Sequence, residues 1–365
     1  QPINEVYRKE EMGFLFQRAG YDCVYGGKWH VPEISIPDQE HGFRRICAFD
    51  DTQLAERCVE YLEEDHQQPF LMVASFDNPH NICEWARNQP LPWGPIEDVP
   101  MEACPNLPPN YAIPPFEPGI LRRAQSWQPR PYPVWDWGPE QWRHYRQAYF
   151  RLVEKVDAEI GRILKGLRAN GLEENTLVVF VSDHGDGMGC HQWSQKSVMY
   201  DEVARVPLII SFKGVTQAGE VDSHLASTGL DILPTLCDYA DVPLPDDLHG
   251  SSLRGLAEGK NPTTWREAVF SESVLSRQQK VAARMVRTER YKYAVYSWGE
   301  YREQLVDLEN DPGEMTNLAV EARHRPLLAQ HRGLLRDWCL KTDDLFDEHY
   351  GHPGQPTLPG YRYEE

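Results

Sequence analysis

The chain has 365 residues, 41% hydrophobic and 25% charged, proportions of an ordinary folded protein long enough for one large domain and a smaller one. A formal net charge of −19 argues against a nucleic-acid binder, although a few cations gathered in a cleft could still hold a small anion. No run of about 18 apolar residues is present, so no helical membrane span is expected. The eight scattered cysteines form no C-x-x-C pair; this excludes the usual zinc and thioredoxin patterns and leaves room for one or two disulfides.

The chain opens on Gln1, and a helix is expected at once over 5–19, with Val6, Met12, Leu15 and Phe16 at near-helical spacing and Gly20 as its stop. Neither a signal peptide nor an opening strand precedes it, so an upstream segment is expected. A short strand follows at 21–25, then the loop GGKWH. A helix over 51–64, capped by Asp51, leads into PFLMVASFDNPH, an apolar run that reads as a buried parallel strand. Residues 85–142 differ in character: 14 of the 29 prolines lie between 90 and 139, and six of the 11 tryptophans lie in the segment. Neither regular helix nor central strand accommodates such a sequence, which marks a long insertion.

A helix over 140–169 carries an apolar stripe of Leu152, Val156, Ile160, Ile163, Leu164 and Leu167. Strands are expected in NTLVVFVSDHGD and VPLIISF (206–212), and a helix in 227–242 that ends before Pro243. This alternation indicates an α/β fold with a mainly parallel sheet. From 265 the pattern shifts to shorter strands and then a helix over 322–339, a small α+β subdomain. The expected division is therefore 1–264 and 265–365.

Three of the strands end in polar clusters: Lys28 and His30, then Asp77 to His80, then Asp183 and His184. In an extended segment Lys28 and His30 point to one side, as though toward an anion; a solvated surface turn is the plain alternative. Ligands of open parallel sheets bind beyond the carboxyl ends of the strands, which favours one shared site. Asp183 with His184 could bind a hard cation, or Asp183 could simply cap a following helix. The loop GCHQWSQKSVMYDE adds His191 and Lys196.

Five segments in order resemble the sulfatase family of the alkaline phosphatase superfamily: GYDCVYGGKWHVPE, VVFVSDHGDGMGCHQWSQKSVMYDEVARVPLII, STGLDILPTLCDYADVPLPDDLHGSSL, RTERYKYAVY and EQLVDLENDPGEMTNLA. They run from residue 13 to 319. The resemblance implies an alkaline-phosphatase-like α/β sandwich and hydrolysis of sulfate monoesters by a formylglycine nucleophile and a divalent cation, most often calcium. It implies that Lys28 and Lys196 hold sulfate oxygens, that His30 assists breakdown of the covalent intermediate, and that His80 gives a proton to the leaving oxygen. Asp183 and His184 correspond to two metal ligands, with His184 standing where some members have Asn. His191 matches a frequent histidine without an assigned role, and Arg205 reads as structural.

The departures are as informative. Neither an Asp-Asp pair on a first strand nor a C-x-P-S-R or S-x-P-S-R motif occurs in these 365 residues, and SVLSR (273–277) lacks the proline. In the family both precede the first helix, so the expectation is a truncated sequence, inactive alone and prone to association. A phosphonate or phosphate ester hydrolase of the same superfamily is the alternative, and a non-catalytic binding relative a further one. The tryptophan-rich insertion points to a sulfated carbohydrate, with a packing or oligomerisation loop as its plain reading. A periplasmic or secreted location is implied by the resemblance alone; no nucleic-acid partner is expected, and the oligomeric state is not legible.

Overall fold

The computed structural model describes residues 9–30, 41–126, 134–276 and 281–346. In chain order come α1 (Met12–Arg18), β1 (Asp22–Gly27), β2 (Arg44–Cys47), α2 (Asp51–Leu62), β3 (Phe70–Ser75), α3 (Ile82–Ala86), α4 (Gly119–Ser126) and α5 (Pro139–Ala169). Then follow β4 (Leu177–Val181), α6 (Asp201–Ala204), β5 (Leu208–Phe212), α7 (Thr228–Ala240) and α8 (Arg254–Ala257). The last part holds β6 (Ala268–Ser276), β7 (Val281–Thr288), β8 (Tyr291–Tyr296), β9 (Glu303–Asp307) and α9 (Arg325–Lys341). The start of the helix expected over 5–19 and the tail from 347 lie outside the described residues.

β1 is the central strand of a parallel set ordered β2-β1-β3. Both faces are covered, which is why β1 and β3 read as apolar runs, whereas the edge strand β2 begins with exposed Arg44 and Arg45. Cys23, Tyr25, Leu71 and Val73 meet Leu15 and Phe16 of α1 and Cys237 of α7 on one face. The alternate residues Met72 and Ala74 meet Cys47 and Leu54 and Cys58 of α2 on the other. The parallel register sets Gly27 opposite Ser75, so the segments leaving β1 and β3 emerge side by side. Gly27 has φ +94°, and a Cβ there would lie 2.0 Å from the Ser75 oxygen, so only glycine fits.

Two local expectations change. The cap of α2 is Asp50, whose carboxylate accepts from the Thr52 N–H at 2.9 Å. Asp51 is instead turned inward to the loop after β3, because two N–H groups there need an acceptor. β5 runs antiparallel to β4, pairing Leu177 with Phe212. Between them lies no crossover helix longer than the four residues of α6, and a parallel return needs one. The α/β class stands; the parallel set comprises three of the described strands. Beside the β4–β5 pair, with Val153, Ile160 and Leu164 of α5 among its lining, is a cleft of about 2260 Å3. Phe180 and Ile209 along it are exposed.

The C-terminal sheet is antiparallel, ordered β6-β7-β8-β9. Its strands alternate strictly. Ala282, Val286, Tyr293 and Val295 pack on Leu328, Leu335 and Cys339 of α9. Val281, Ala283, Met285, Ala294 and Tyr296 face the other way, onto Ile120 and Leu121 of α4 and onto Trp193, Val198, Met199 and Tyr200. One face of this subdomain is thus the floor beneath the loop that carries Lys196.

In the insertion, apart from α4 and one turn at Met101–Ala103, the described residues between α3 and α5 are irregular, as their prolines require. Trp142 is fully buried against Tyr145 and Trp137. Trp135, by contrast, is 54% exposed. No disulfide joins any of the eight cysteines. Among the described residues no helix is long and apolar enough to cross a membrane.

Candidate active site

The adjacency of β1 and β3 brings two of the three polar clusters together. Lys28, whose N–H continues the ladder to the Ser75 carbonyl at 2.7 Å, directs its ammonium to Asp77 Oδ1 at 3.3 Å. The same oxygen lies 3.7 Å from His80 Nδ1. The turn holding them is fixed from below: both oxygens of Asp51 accept, at 2.8 Å, the N–H groups of Asp77 and Asn78. The Asn78–Pro79 peptide is cis. Burial pushes the His80 imidazole down to about 4, and the charges of Lys28, Lys196 and His184 add to this while Asp77 opposes it. His80 therefore senses Lys28 after β1, His184 after β4 and Lys196 of the loop at once, besides Asp77 of its own turn.

Lys196 is presented by an unusual loop. Met188, His191, Gln192, Gln195 and Ser197 all have positive φ between 52° and 81°, and two of them flank Lys196 directly. Such conformations are costly for residues with a Cβ and persist only where surroundings over-determine them. The surroundings here do. Asp186 accepts from the N–H groups of Met188 and Gln195 and from the Tyr145 hydroxyl of α5, at 2.8, 2.8 and 2.9 Å. From the insertion, the Asn110 carbonyl accepts the His191 N–H at 2.7 Å, and the Arg122 guanidinium donates to the His191 carbonyl at 2.9 Å. From the C-terminal sheet, the Ser273 hydroxyl donates to the Ser197 carbonyl at 2.8 Å, and the Tyr296 hydroxyl accepts from the Met199 N–H at 3.4 Å.

Just beyond, Lys292 of β8 is 2% exposed and places its ammonium 2.7 Å from Asp201 and 2.6 Å from Glu314. The other Glu314 oxygen accepts the Asp201 N–H at 2.6 Å. A cation and two carboxylates so buried are stable only as a mutually satisfied set. They anchor the C-terminal end of the Lys196 loop.

Asp183 and His184 leave β4 side by side. The His184 Nδ1 lies 2.8 Å from the Gly185 carbonyl, which can only accept, so in the neutral imidazole the proton sits there and the lone pair is on Nε2. That Nε2 is buried with no hydrogen-bond partner, 3.5 Å from Asp183 Oδ2. Asp183 keeps its carboxylate 71% exposed. An oriented imidazole with an open nitrogen beside an open carboxylate fits two donors to a divalent cation. Among the described residues no group of three or more His, Cys, Asp or Glu completes such a site.

His30 is exposed, and among the described residues no contact ties it to the cluster. His191 is fully buried away from it, its Nε2 3.3 Å from the Asn110 amide. Arg205 is exposed at the end of α6, where its N–H donates to the Asp201 carbonyl at 2.9 Å. Sequence reading missed the supporting shell: Asp51, Asp186, Asn110 and the Lys292–Glu314 pair. The signal for Asp186 lay in the S-D-H-G-D run, whose second aspartate had no assigned task.

The Sulfatase family profile matches residues 7–242, and that of N-sulphoglucosamine sulphohydrolase, C-terminal, matches 189–338. A delta 4,5-hexuronate-2-O-sulfatase of Bacteroides thetaiotaomicron is 32% identical over 361 residues, covering 91% of this chain and 72% of the relative. Among solved structures, a 2-O GAG sulfatase superposes with a TM-score of 0.78 at 29% identity, covering 94% of this chain and 80% of the other. The phosphonate monoester hydrolase of Agrobacterium radiobacter superposes with a TM-score of 0.67 at 22% identity, over 91% and 79%, a likeness of fold alone.

Proposed function

The chain belongs to the sulfatase family, hydrolases of sulfuric esters, and on that premise we propose that it acts on sulfate monoesters of a uronic-acid-containing glycan. The observation that carries this reading is that Lys28 and His80 meet at Asp77, with Lys196 and His184 near enough for their charges to act on His80. The glycan class is supported by the hexuronate 2-O-sulfatase that is 32% identical over 91% of this chain.

In this reading Lys28 and Lys196 bind the sulfate oxygens from two sides and stabilise the charge that grows on them as the ester bond breaks. Their charges are also among those that depress His80, so a bound sulfate relieves part of that depression. The imidazole then holds a proton where the departing alkoxide needs one. His30 is assigned to the second half of the reaction, assisting release of sulfate from the nucleophile. A divalent cation, calcium in our reading, would be held in part by Asp183 and His184 and would supply Lewis-acid neutralisation of sulfate charge. Formylglycine would supply the nucleophile from residues outside these 365.

The test is turnover by the product of the complete gene, matured for formylglycine, on paired sulfate and phosphate esters and on 2-O-sulfated uronate disaccharides. Preference for the sulfated disaccharides is expected. Faster turnover of the phosphate or phosphonate ester would overturn the assignment.

A further inference from the structure

Asp77 stands at the centre of the anion site, and the mechanism above gives it nothing to do. Its carboxylate is 7% exposed. Oδ1 lies 3.3 Å from Lys28 Nζ and 3.7 Å from His80 Nδ1, and Oδ2 accepts from the Trp93 indole N–H at 2.9 Å. Asp51, itself 3% exposed, grips the backbone of Asp77 and Asn78 from behind, and the Trp93 indole holds the carboxylate itself. A negative charge fixed against a lysine that is to bind sulfate repels the substrate it faces. A residue serving only the fold could sit there uncharged, because the indole needs an acceptor and not an anion.

We propose that Asp77 is a positioning residue: its charge aims the Lys28 ammonium and turns His80 with Nδ1 inward, leaving Nε2 for the leaving oxygen. The inference rests on the anion-clamp reading of Lys28 and Lys196. Its consequence is a division between ground state and transition state. The counter-charge weakens the hold on free sulfate, while the orientation it imposes speeds the step in which the ester oxygen departs.

Two measurements on the matured complete enzyme test this: calorimetric binding of inorganic sulfate, and turnover of an aryl sulfate. Asp77→Asn preserves size and, through its carbonyl, the acceptor for Trp93. We expect it to bind sulfate about three- to tenfold more tightly while kcat falls about tenfold or more, with thermal unfolding little changed. A residue of purely structural importance would weaken both. Asp77→Ser serves if the Asn variant does not fold, with the same opposed changes expected. Lys196→Ala separates the two levels of argument. If wild type does not bind sulfate, or Lys196→Ala leaves its binding unaltered, the clamp reading falls and this inference with it. If wild type binds sulfate and Lys196→Ala loses it, while Asp77→Asn binds no tighter or turns over undiminished, the role given to Asp77 alone is refuted.

Discussion

The imidazole of His191 lies flat on the phenol ring of Tyr200, centroids 3.8 Å apart and planes 12° apart. Burial first, then the charges of Arg122 and Lys292, push this histidine down from 6.5 to about 3. Between those values the unfolded chain binds a proton that the folded chain refuses. The contribution of His191 to stability is therefore intact above about 6.5 and is lost progressively as pH falls toward 3. Urea unfolding of wild type and His191→Gln at pH 7.5 and pH 5 measures it. The variant should lose less stability between the two pH values than wild type does; equal losses would contradict a neutral buried imidazole.

Replacing either Lys28 or Lys196 by Ala in the complete enzyme should lower kcat/KM by about 2–4 kcal/mol in transition-state terms. Thermal unfolding should barely change, since both ammonium groups are partly exposed and neither is a core residue. Steady-state kinetics beside a melting curve checks both halves, and near-wild-type turnover in both variants would remove the anion clamp.

Asp183→Asn should weaken calcium binding to the complete protein by about tenfold or more, because charge count largely sets affinity for a hard cation. His184→Ala should weaken it too, by removing an already oriented nitrogen. Calorimetric titration of metal-stripped protein reads this directly. Unchanged affinity in both variants would mean that the cation is held elsewhere.

The tryptophans of the insertion should divide into two groups. Trp142→Ala removes a fully buried ring and should cost about 3–5 kcal/mol of stability. Trp135→Ala, at an exposed position, should leave stability nearly unaltered. If the insertion reaches a large substrate, the Trp135 change should reduce turnover of a sulfated glycan more than of a small aryl sulfate. Equal losses on both would assign the whole insertion to support of the fold.

Much of the architecture was legible because it follows from short-range patterning. The apolar runs of β1, β3 and β4 and the stripe of α5 lie within a residue or two of where periodicity sets them. Lys28 and His80 drew notice because polar residues interrupt apolar strands at their carboxyl ends, and Lys196 because it lies in the glycine-spaced loop after β4. What periodicity could not reveal depends on distant partners. Asp51 has the local look of a helix cap, yet its acceptors are needed 26 residues later, at Asp77. Gly189 announces one left-handed turn of the loop, but Gln195 and Ser197, which flank Lys196, give no such sign, since tertiary hydrogen bonds and not backbone preference impose their conformation. The sense of β5 was also hidden: a strand reads alike in either direction, and only the brevity of α6 decides it.

The buried set of Lys292, Asp201 and Glu314 bears on how this protein is made. Asp201 meets Lys292 across 91 positions of sequence and Glu314 across 113, and Met199 meets Tyr296 across 97. On the ribosome the loop carrying Lys196 is therefore complete long before the strands that fix its shape have been translated. Met188, His191 and Gln195 find their partners in Asp186, Asn110 and Arg122, which are already made or close by, whereas Ser197, Met199 and Asp201 wait for β6, β8 and the segment after β9. The side of the loop that follows Lys196 is thus translated early and fixed late, once the segment after β9 has emerged.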